Sequence, residues 1–224
     1  MDLELCQLNK VYLQELTSYN KVLNQRNKLL KDIGFQPGLT ETLDVWDMQL
    51  VSYGKKIISL RRQFMEELGE IIRQIHSNLT GKKEEIRLLY EPDVEEKVFE
   101  EKLQSAREKD LRFRVTSVGP HRDDFCVQTN GIDIRKYGSQ GQQRTAALSL
   151  KMSEIYLVEK VTKDHPVLLL DDVLSELDSS RQNYLLQSIH NIQTVITCTG
   201  LDELIENNFS IDRVFRVTEG KIDF

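Results

Sequence analysis

The chain has 224 residues and a mass of 26.1 kDa, room for one large domain or two small ones. Its 39% apolar and 29% charged residues, with the apolar ones recurring at regular spacing, exclude a disordered chain and suit long solvated helices around a core. No run of 18 uncharged apolar residues occurs, the opening MDLELCQLNK has no basic stretch leading into an apolar one, and Cys6, Cys126 and Cys198 are odd in number and far apart. These features predict no membrane helix, no signal peptide, no disulfide framework and no zinc site, and place the chain in a reducing compartment.

The net charge is −6. Residues 1–115 hold 19 Lys and Arg against 20 Asp and Glu, and residues 116–224 hold 11 against 16. A globally basic nucleic-acid binder is excluded, and any local basic face belongs to the first half.

In chain order, Leu5, Leu8, Tyr12, Leu16, Tyr19, Leu23, Leu30 and Ile33 advance by threes and fours, with Arg26 in the one gap. A second stripe runs through Leu43, Trp46, Leu50, Tyr53, Ile57, Leu60, Phe64, Leu68, Ile71, Ile75 and Leu79. Each predicts a long amphipathic helix, the second roughly 60 Å long at ~1.5 Å per residue. Between them Gly34 can end the first helix with φ > 0, Pro37 forbids its continuation and Thr40 can cap the second. The pair therefore reads as an antiparallel αα-hairpin.

Residues 85–90 read as a strand and 93–110 as one charged helix with Val94, Val98 and Leu103 inward. Alternation at Phe113, Val115 and Ser117 predicts another strand. Phe125–Thr129 and Ile132–Ile134 flank Asn130-Gly131, a two-residue hairpin signal. A Gly- and Gln-rich loop, GSQGQQRT, opens a helix from about Gln142 to Lys160. Val167–Leu170 reads as a buried strand, 179–190 as a helix, Val195–Thr197 as a strand, 201–207 as a helix and Val214–Val217 as a last strand. Alternating strands and helices predict a parallel sheet with helical cover. The fold class is thus mixed α/β, with a helical lobe over residues 1–112 and an α/β lobe over 113–224.

The run Val167-Leu168-Leu169-Leu170 delivers Asp171 and Asp172 to the C-terminal end of a strand, where α/β sheets place ligands. This is the form of a Walker B motif, in which the first acid holds Mg²⁺ and the second orients or deprotonates an attacking water. Taken alone, the same residues also suit a strand meeting a helix N-cap. In Gly138-Ser139-Gln140-Gly141-Gln142, Gly141 lets backbone approach a phosphate, Ser139 offers a hydroxyl, and the following helix N-terminus favours an anion. Taken alone, this also suits an ordinary helix-entry loop with a serine cap.

The order of the two motifs narrows the reading. Asp171-Asp172-Val173-Leu174-Ser175-Glu176-Leu177-Asp178 resembles the Walker B and D-loop of ABC-type ATPases. Ser139, Gly141 and Gln142 match their signature loop, while Gly138 and Gln140 depart from it. With Gly119-Pro120-His121-Arg122-Asp123-Asp124 before these, and YLQELTSYNKVLNQRNKLLK in the first helix, the whole chain is similar to the RecF family of bacterial SMC-like ABC ATPases, in its part after the N-terminal ATPase lobe. The P-loop that opens such proteins does not occur in this sequence. The GPHRDD segment by itself reads as a turn between strands carrying surface charges.

The resemblance implies the C-terminal lobe of an ABC/SMC-type head beside a helical hairpin, and ATP and Mg²⁺ as cofactors together with the N-terminal lobe. It implies a cytoplasmic role in DNA repair and recombination: binding duplex and gapped DNA, forming an ATP-driven RecF homodimer, and acting with RecR to help load RecA. Ser139, Gly141 and Gln142 would act on nucleotide held by a partner subunit. Asp171 would serve the metal, Asp172 the attacking water, and Asp178 and Thr199 the nucleotide. Two departures stand out: Thr199 falls where ABC proteins usually carry His, and Asp172 where most carry Glu. The chain alone is expected to be inactive as an ATPase.

Lys55, Lys56, Arg61 and Arg62 fall within two turns and off the stripe set by Ile57, Leu60 and Phe64. No acid occurs between Gln49 and Met65. They are therefore expected to point away from the hairpin core and to offer a DNA-backbone contact, or else a solvated charged face. The competing function class is a non-enzymatic helical-hairpin module that binds protein or DNA. Another SMC-like protein such as RecN is a further alternative, although about 35 residues per arm is short for its hairpin.

Overall fold

A computed structural model describes residues 1–34, 37–174, 177–189, 192–198 and 211–223. The chain divides into two compact units, Met1–Asp164 and His165–Phe224. Thr199 and the helix expected over 201–207 lie outside the described residues.

In the first unit, α1 (Asp2–Leu8) and α2 (Lys10–Ile33) are separate helices. The expected single helix breaks at Asn9, whose backbone is extended and whose side chain accepts from the N–H groups of Val11 and Tyr12. Asparagine favours this cap because its short amide replaces a missing helical acceptor. Gly34 remains right-handed at φ −59 rather than turning left-handed. A 3₁₀ segment, Pro37–Thr42, leads into α3 (Leu43–Leu79), and Thr40 does not cap it, since the position before the helix is Thr42.

The long second helix is present over 37 residues. It is buried on more than one stripe. Leu43, Leu50, Ile57, Phe64, Leu68, Ile75 and Leu79 are buried, and so are Asp47, Val51, Gly54, Ile58, Arg61, Met65, Ile72 and His76. The second set also advances by threes, fours and sevens, so it forms a neighbouring face. One helix therefore packs against α2 while also meeting β1 (Ile86–Glu91), α4 (Phe99–Ser105) and, further along the chain, α7 (Gln140–Thr162).

The expected helix over 93–110 is a 3₁₀ turn (Glu96–Val98), α4 and α5 (Arg107–Phe113). Phe99 faces inward, fully buried, in place of Val98. The strand expected at Phe113–Ser117 is absent. Arg114 ends α5 in a left-handed conformation at φ 58. Beyond it, side chains rather than a neighbouring strand take the backbone donors: Thr116 N–H donates to Asn27 Oδ1 at 2.7 Å and Ser117 N–H to Asp110 Oδ1 at 2.9 Å. Alternation alone cannot distinguish a strand from a loop whose donors are satisfied this way.

β2 (Asp124–Thr129) pairs antiparallel with β1 and with β3 (Ile132–Asp133). Asn130 and Gly131 turn between them at φ 51 and 80, the twist that a two-residue hairpin demands. A short helix, α6 (Ile134–Tyr137), then delivers the chain to α7.

Two buried arginines bind these pieces. Arg26, fully buried, donates to Asp47 at 2.6 Å, to Asp110 at 2.7 Å and to Thr116 Oγ1 at 2.9 Å. Arg61 donates to Tyr12 Oη at 2.9 Å, Asp2 Oδ2 at 2.9 Å, Asp123 Oδ2 at 2.7 Å and the Pro120 carbonyl.

In the second unit, β4 (Leu168–Asp171) and β5 (Thr194–Thr197) pair in parallel, with α8 (Ser179–Ser188) between them in sequence. The expected buried strand is buried on one side only: Leu170 is 8% exposed, Leu169 72% and Val167 58%. The expected last strand is β6 (Arg216–Thr218), and it is followed by β7 (Lys221–Asp223) in an antiparallel hairpin.

Arg61→Ala is expected to cost about 3–5 kcal/mol in urea unfolding of the chain, because it leaves the fully buried Asp123 carboxylate without its cation. Lys55→Ala, one and a half turns away on the same helix, is expected to stay within about 0.5 kcal/mol.

Candidate nucleotide site

The signature-like loop sits at the head of α7 in the first unit. Gly138 is extended, and a Cβ there would lie 2.6 Å from the Ile134 carbonyl oxygen, so glycine is the residue that lets the chain leave α6 this closely. Ser139 is the N-cap of α7. Its Oγ accepts from Gln142 N–H at 3.3 Å, while Gln142 Oε1 accepts from Ser139 N–H at 3.1 Å, a complete capping box. Ser139 and Gly141 are exposed, and a Cβ on Gly141 would meet no atom within 4 Å. The serine cap and the loop expected to meet an anion are thus one object. The Ser139 hydroxyl keeps its proton to donate outward, and by helix geometry the N–H groups of Gln140 and Gly141 have no acceptor within the helix.

The two acids lie in the second unit. Asp171 ends β4, opposite Thr197 in the parallel register. The Thr197 hydroxyl donates to Asp171 Oδ1 at 2.5 Å and accepts from Asp172 N–H at 3.1 Å. The Asp172 N–H also meets the Thr197 carbonyl at 3.2 Å. Asp172 takes φ 52, a left-handed conformation that aspartate tolerates better than most residues. Thr197 is the residue beside these acids that sequence reasoning passed over, since only strand pairing brings it to Asp171. Asp178 caps α8, accepting from Arg181 N–H at 3.0 Å and pairing with its guanidinium at 2.7 Å. Each group of motif residues is therefore gathered within its own unit. Among the described residues, no group of three or more His, Cys, Asp or Glu is placed to hold a metal alone.

The four basic residues of α3 do not form one face. Arg61 is buried in the network above, which corrects the expectation that it points away from the core: it lies on the second buried stripe, a turn from Ile58 and Met65. Lys56 is exposed and pairs with Glu15 at 2.7 Å, Arg62 pairs with Glu95 at 2.6 Å, and Lys55 is half-buried. Acids distant in sequence thus take the place of the local acids that were missing.

The GPHRDD segment is not a turn of surface charges. Pro120–Arg122 form a 3₁₀ turn, and the Asp123 side chain accepts from Arg61, from the Tyr90 hydroxyl and from Asp93 N–H at 2.9 Å. His121 Nε2 lies 3.1 Å from the Thr116 carbonyl and Nδ1 2.7 Å from the Tyr19 hydroxyl. A carbonyl only accepts, so Nε2 carries the proton and Nδ1 accepts from Tyr19, which makes a neutral ring. Burial pushes the Tyr19 and Tyr90 phenols well above their ordinary value, keeping both as hydroxyl donors.

Comparison with known proteins decides what these parts belong to. The chain is 59% identical over 223 residues to the DNA replication and repair protein RecF of Agathobacter rectalis, and 60% identical over 224 residues to that of Lachnospira eligens. All of this chain is covered in the first and 99% in the second, against 62% of each relative. The chain corresponds to the C-terminal part of a RecF protein. A solved structure of the recombination mediator protein RecF with ATP, from the RecFOR pathway, superposes with a TM-score of 0.85 at 36% identity, over 99% of this chain and 61% of that one. No family model matches. The mixed α/β fold of the RecF head is therefore shown, and the chain spans less than two thirds of the length of the RecF relatives it matches.

His121 gives the RecF turn a pH dependence. Burial, the main cause, holds its pKa below the ordinary imidazole value, against the opposing pull of the Thr116 carbonyl. The unfolded chain therefore binds the proton first as pH falls through about 6.5, so this contribution is full above that pH and is lost as pH falls below it. Thermal midpoints measured between about pH 7.5 and about pH 5.5 should fall, and His121→Gln should remove this part of the slope.

Proposed function

We propose that this chain supplies part of the composite ATP site of a RecF-type DNA repair protein, with the loop at the head of α7 acting on nucleotide held by a second subunit. The observation that carries the reading is the exposed, doubly capped Ser139–Gln142 turn: a hydroxyl donor and a first helical turn held rigidly toward solvent, with open space above Gly141. Such a turn suits a γ-phosphate arriving from outside. Residues 1–112 form the helical lobe and 113–224 the ABC-type lobe in this reading.

Asp171 and Asp172 act on nucleotide bound within their own subunit. Asp171 fits Mg²⁺ as one carboxylate ligand: it is exposed, and Thr197 occupies one of its oxygens and fixes its direction. Mg²⁺ commonly takes one or two protein carboxylates and fills its remaining positions with phosphate and water. When bound, the ion would neutralise charge on the β- and γ-phosphate oxygens. Asp172 orients the attacking water, its backbone held by Thr197 on two atoms. Asp178 and Thr199 are assigned to the nucleotide in this reading by their place in the motif order.

A P-loop is the other requirement, and this sequence has none. The exposed side of β4 and β5 supports its supply by further RecF length. A parallel pair is ordinarily covered on both faces, yet Val167, Leu169 and Val195 are more than half exposed. The whole protein binds duplex and gapped DNA, dimerises on ATP and works with RecR to help load RecA. Lys55, Lys56 and Arg62 contribute phosphate contacts, Lys56 exchanging Glu15 and Arg62 exchanging Glu95 for DNA.

In a full-length RecF carrying these residues, Ser139→Arg should abolish ATP-driven dimerisation in sedimentation velocity while leaving nucleotide binding by each monomer unchanged. Normal dimers would overturn the assignment in trans. The chain by itself should show no micromolar ATP binding in calorimetry and no turnover, because P-loop N–H groups and lysine supply most phosphate contacts.

A further inference from the structure

The head of α7 is tied to the helical hairpin by a run of hydrogen bonds that the ATP-site reading leaves unused. Gln142 Nε2 donates to Glu84 Oε1 at 3.1 Å. The other oxygen, Glu84 Oε2, lies 3.3 Å from His76 Nε2. His76 Nδ1 lies 2.9 Å from Ser149 Oγ, which is 2.7 Å from the Thr145 carbonyl. His76 is fully buried in the last turns of α3, and Glu84 stands between α3 and β1. Ser149 and Thr145 belong to α7, so the run leaves α7 at its first turn and returns to it two turns later.

Donor and acceptor chemistry fixes the direction of the two bonds at Glu84. An ionised carboxylate only accepts, so Gln142 must present its NH₂ to Glu84, and His76 Nε2 must carry hydrogen. With its NH₂ held by Glu84, Gln142 turns its oxygen toward Ser139 N–H, and this is the bond that closes the capping box. Were the amide to flip, its NH₂ would face the Ser139 N–H donor. Glu84 therefore selects the one amide orientation in which the loop is capped from both ends.

We propose that Glu84, backed by His76, is a positioning residue for the signature loop. It holds Gln142 in the orientation that keeps Ser139 and Gly141 where a second subunit's nucleotide meets them. Because His76 is part of α3, the hairpin itself carries the loop, and a ligand that shifts the end of α3 shifts Gln142 with it. The inference rests on the reading of Ser139–Gln142 as the half of the site that acts in trans.

The test uses full-length RecF carrying these residues and the nearly isosteric variant Glu84→Gln. Glutamine has one oxygen where the carboxylate has two acceptors, so it cannot accept from both His76 and Gln142, and the capped orientation of the Gln142 amide is no longer enforced. ATP affinity of the monomer should be unchanged. ATP-driven dimerisation should weaken about tenfold in sedimentation velocity. Hydrogen exchange at the Gln142 and Gln143 amides should quicken, while α3 amides keep their protection. Glu84→Asp keeps the charge and both acceptors and should recover most of the dimer. Ser139→Arg is measured beside them. If it abolishes dimers while Glu84→Gln dimerises normally, the positioning role is overturned and the signature reading stands. If Ser139→Arg also dimerises normally, the signature reading has failed and the inference falls with it. If Glu84→Gln and Glu84→Asp lose dimerisation and thermal stability to the same degree, Glu84 serves the fold alone and the proposal is overturned.

Discussion

A guanidinium taken out of water must have its charge matched and its donors filled, and the first unit is arranged around meeting that demand at Arg61. The partners come from five places: Asp2 in α1, Tyr12 in α2, the carbonyl of Pro120, Asp123 just before β2, and, through Asp123, Tyr90 in β1. Apart from α1 and α2, which adjoin at Asn9, and Pro120 and Asp123 of one turn, these segments are far apart in sequence. Satisfying one side chain therefore fixes how the N-terminal helices, the hairpin and the sheet meet. The break at Asn9 fits the same demand, since it ends α1 one residue before α2 and lets Asp2 and Tyr12 share Arg61. Arg26 does similar work at another level of the hairpin, drawing in Asp47, Asp110 and Thr116.

This scaffold sets what the signature loop can be. β1 enters directly after the end of α3, β2 and β3 extend the sheet, and α6 carries the chain from the sheet to the head of α7. Ser139 then occupies a position fixed by a steric limit at Gly138 and by a capping box with Gln142. A loop of this kind needs no reorganisation when an anion arrives, which is what electrostatic recognition of a phosphate rewards. At the two acids the rigidity comes from a neighbouring strand instead, through a single hydroxyl at Thr197.

The features legible in the sequence were those written in local periodicity and turn chemistry. The length of α3, the Asn130-Gly131 hairpin and the serine at the head of α7 all follow from nearest-neighbour rules. The RecF motifs were legible because their order along the chain is itself informative. What escaped notice depends on partners distant in sequence. Arg61 sits on a second stripe with Val51, Ile58, Met65 and Ile72, a recurrence that the polar residues Asp47 and Arg61 on the same face disguised. The segment after Phe113 alternates as a strand does, but Asn27 and Asp110 claim its backbone donors. Glu84 and Thr197 carry no local signature, because their roles exist only once α3 meets α7 and β4 meets β5.

The pairing of Asp171 with Thr197 has a consequence for fidelity. Side chains alternate along a strand, so the register that sets Thr197 beside Asp171 is the one that turns Leu170 inward. A slip of one residue would set Ile196 or Cys198 against the acid and, in the same motion, evert Leu170. The acid cannot lose its hydroxyl partner while the hydrophobic contact persists unaltered. Burial of one leucine thereby proofreads the placement of one carboxylate, and a misaligned strand would betray itself as an unstable unit before it could act as a faulty site.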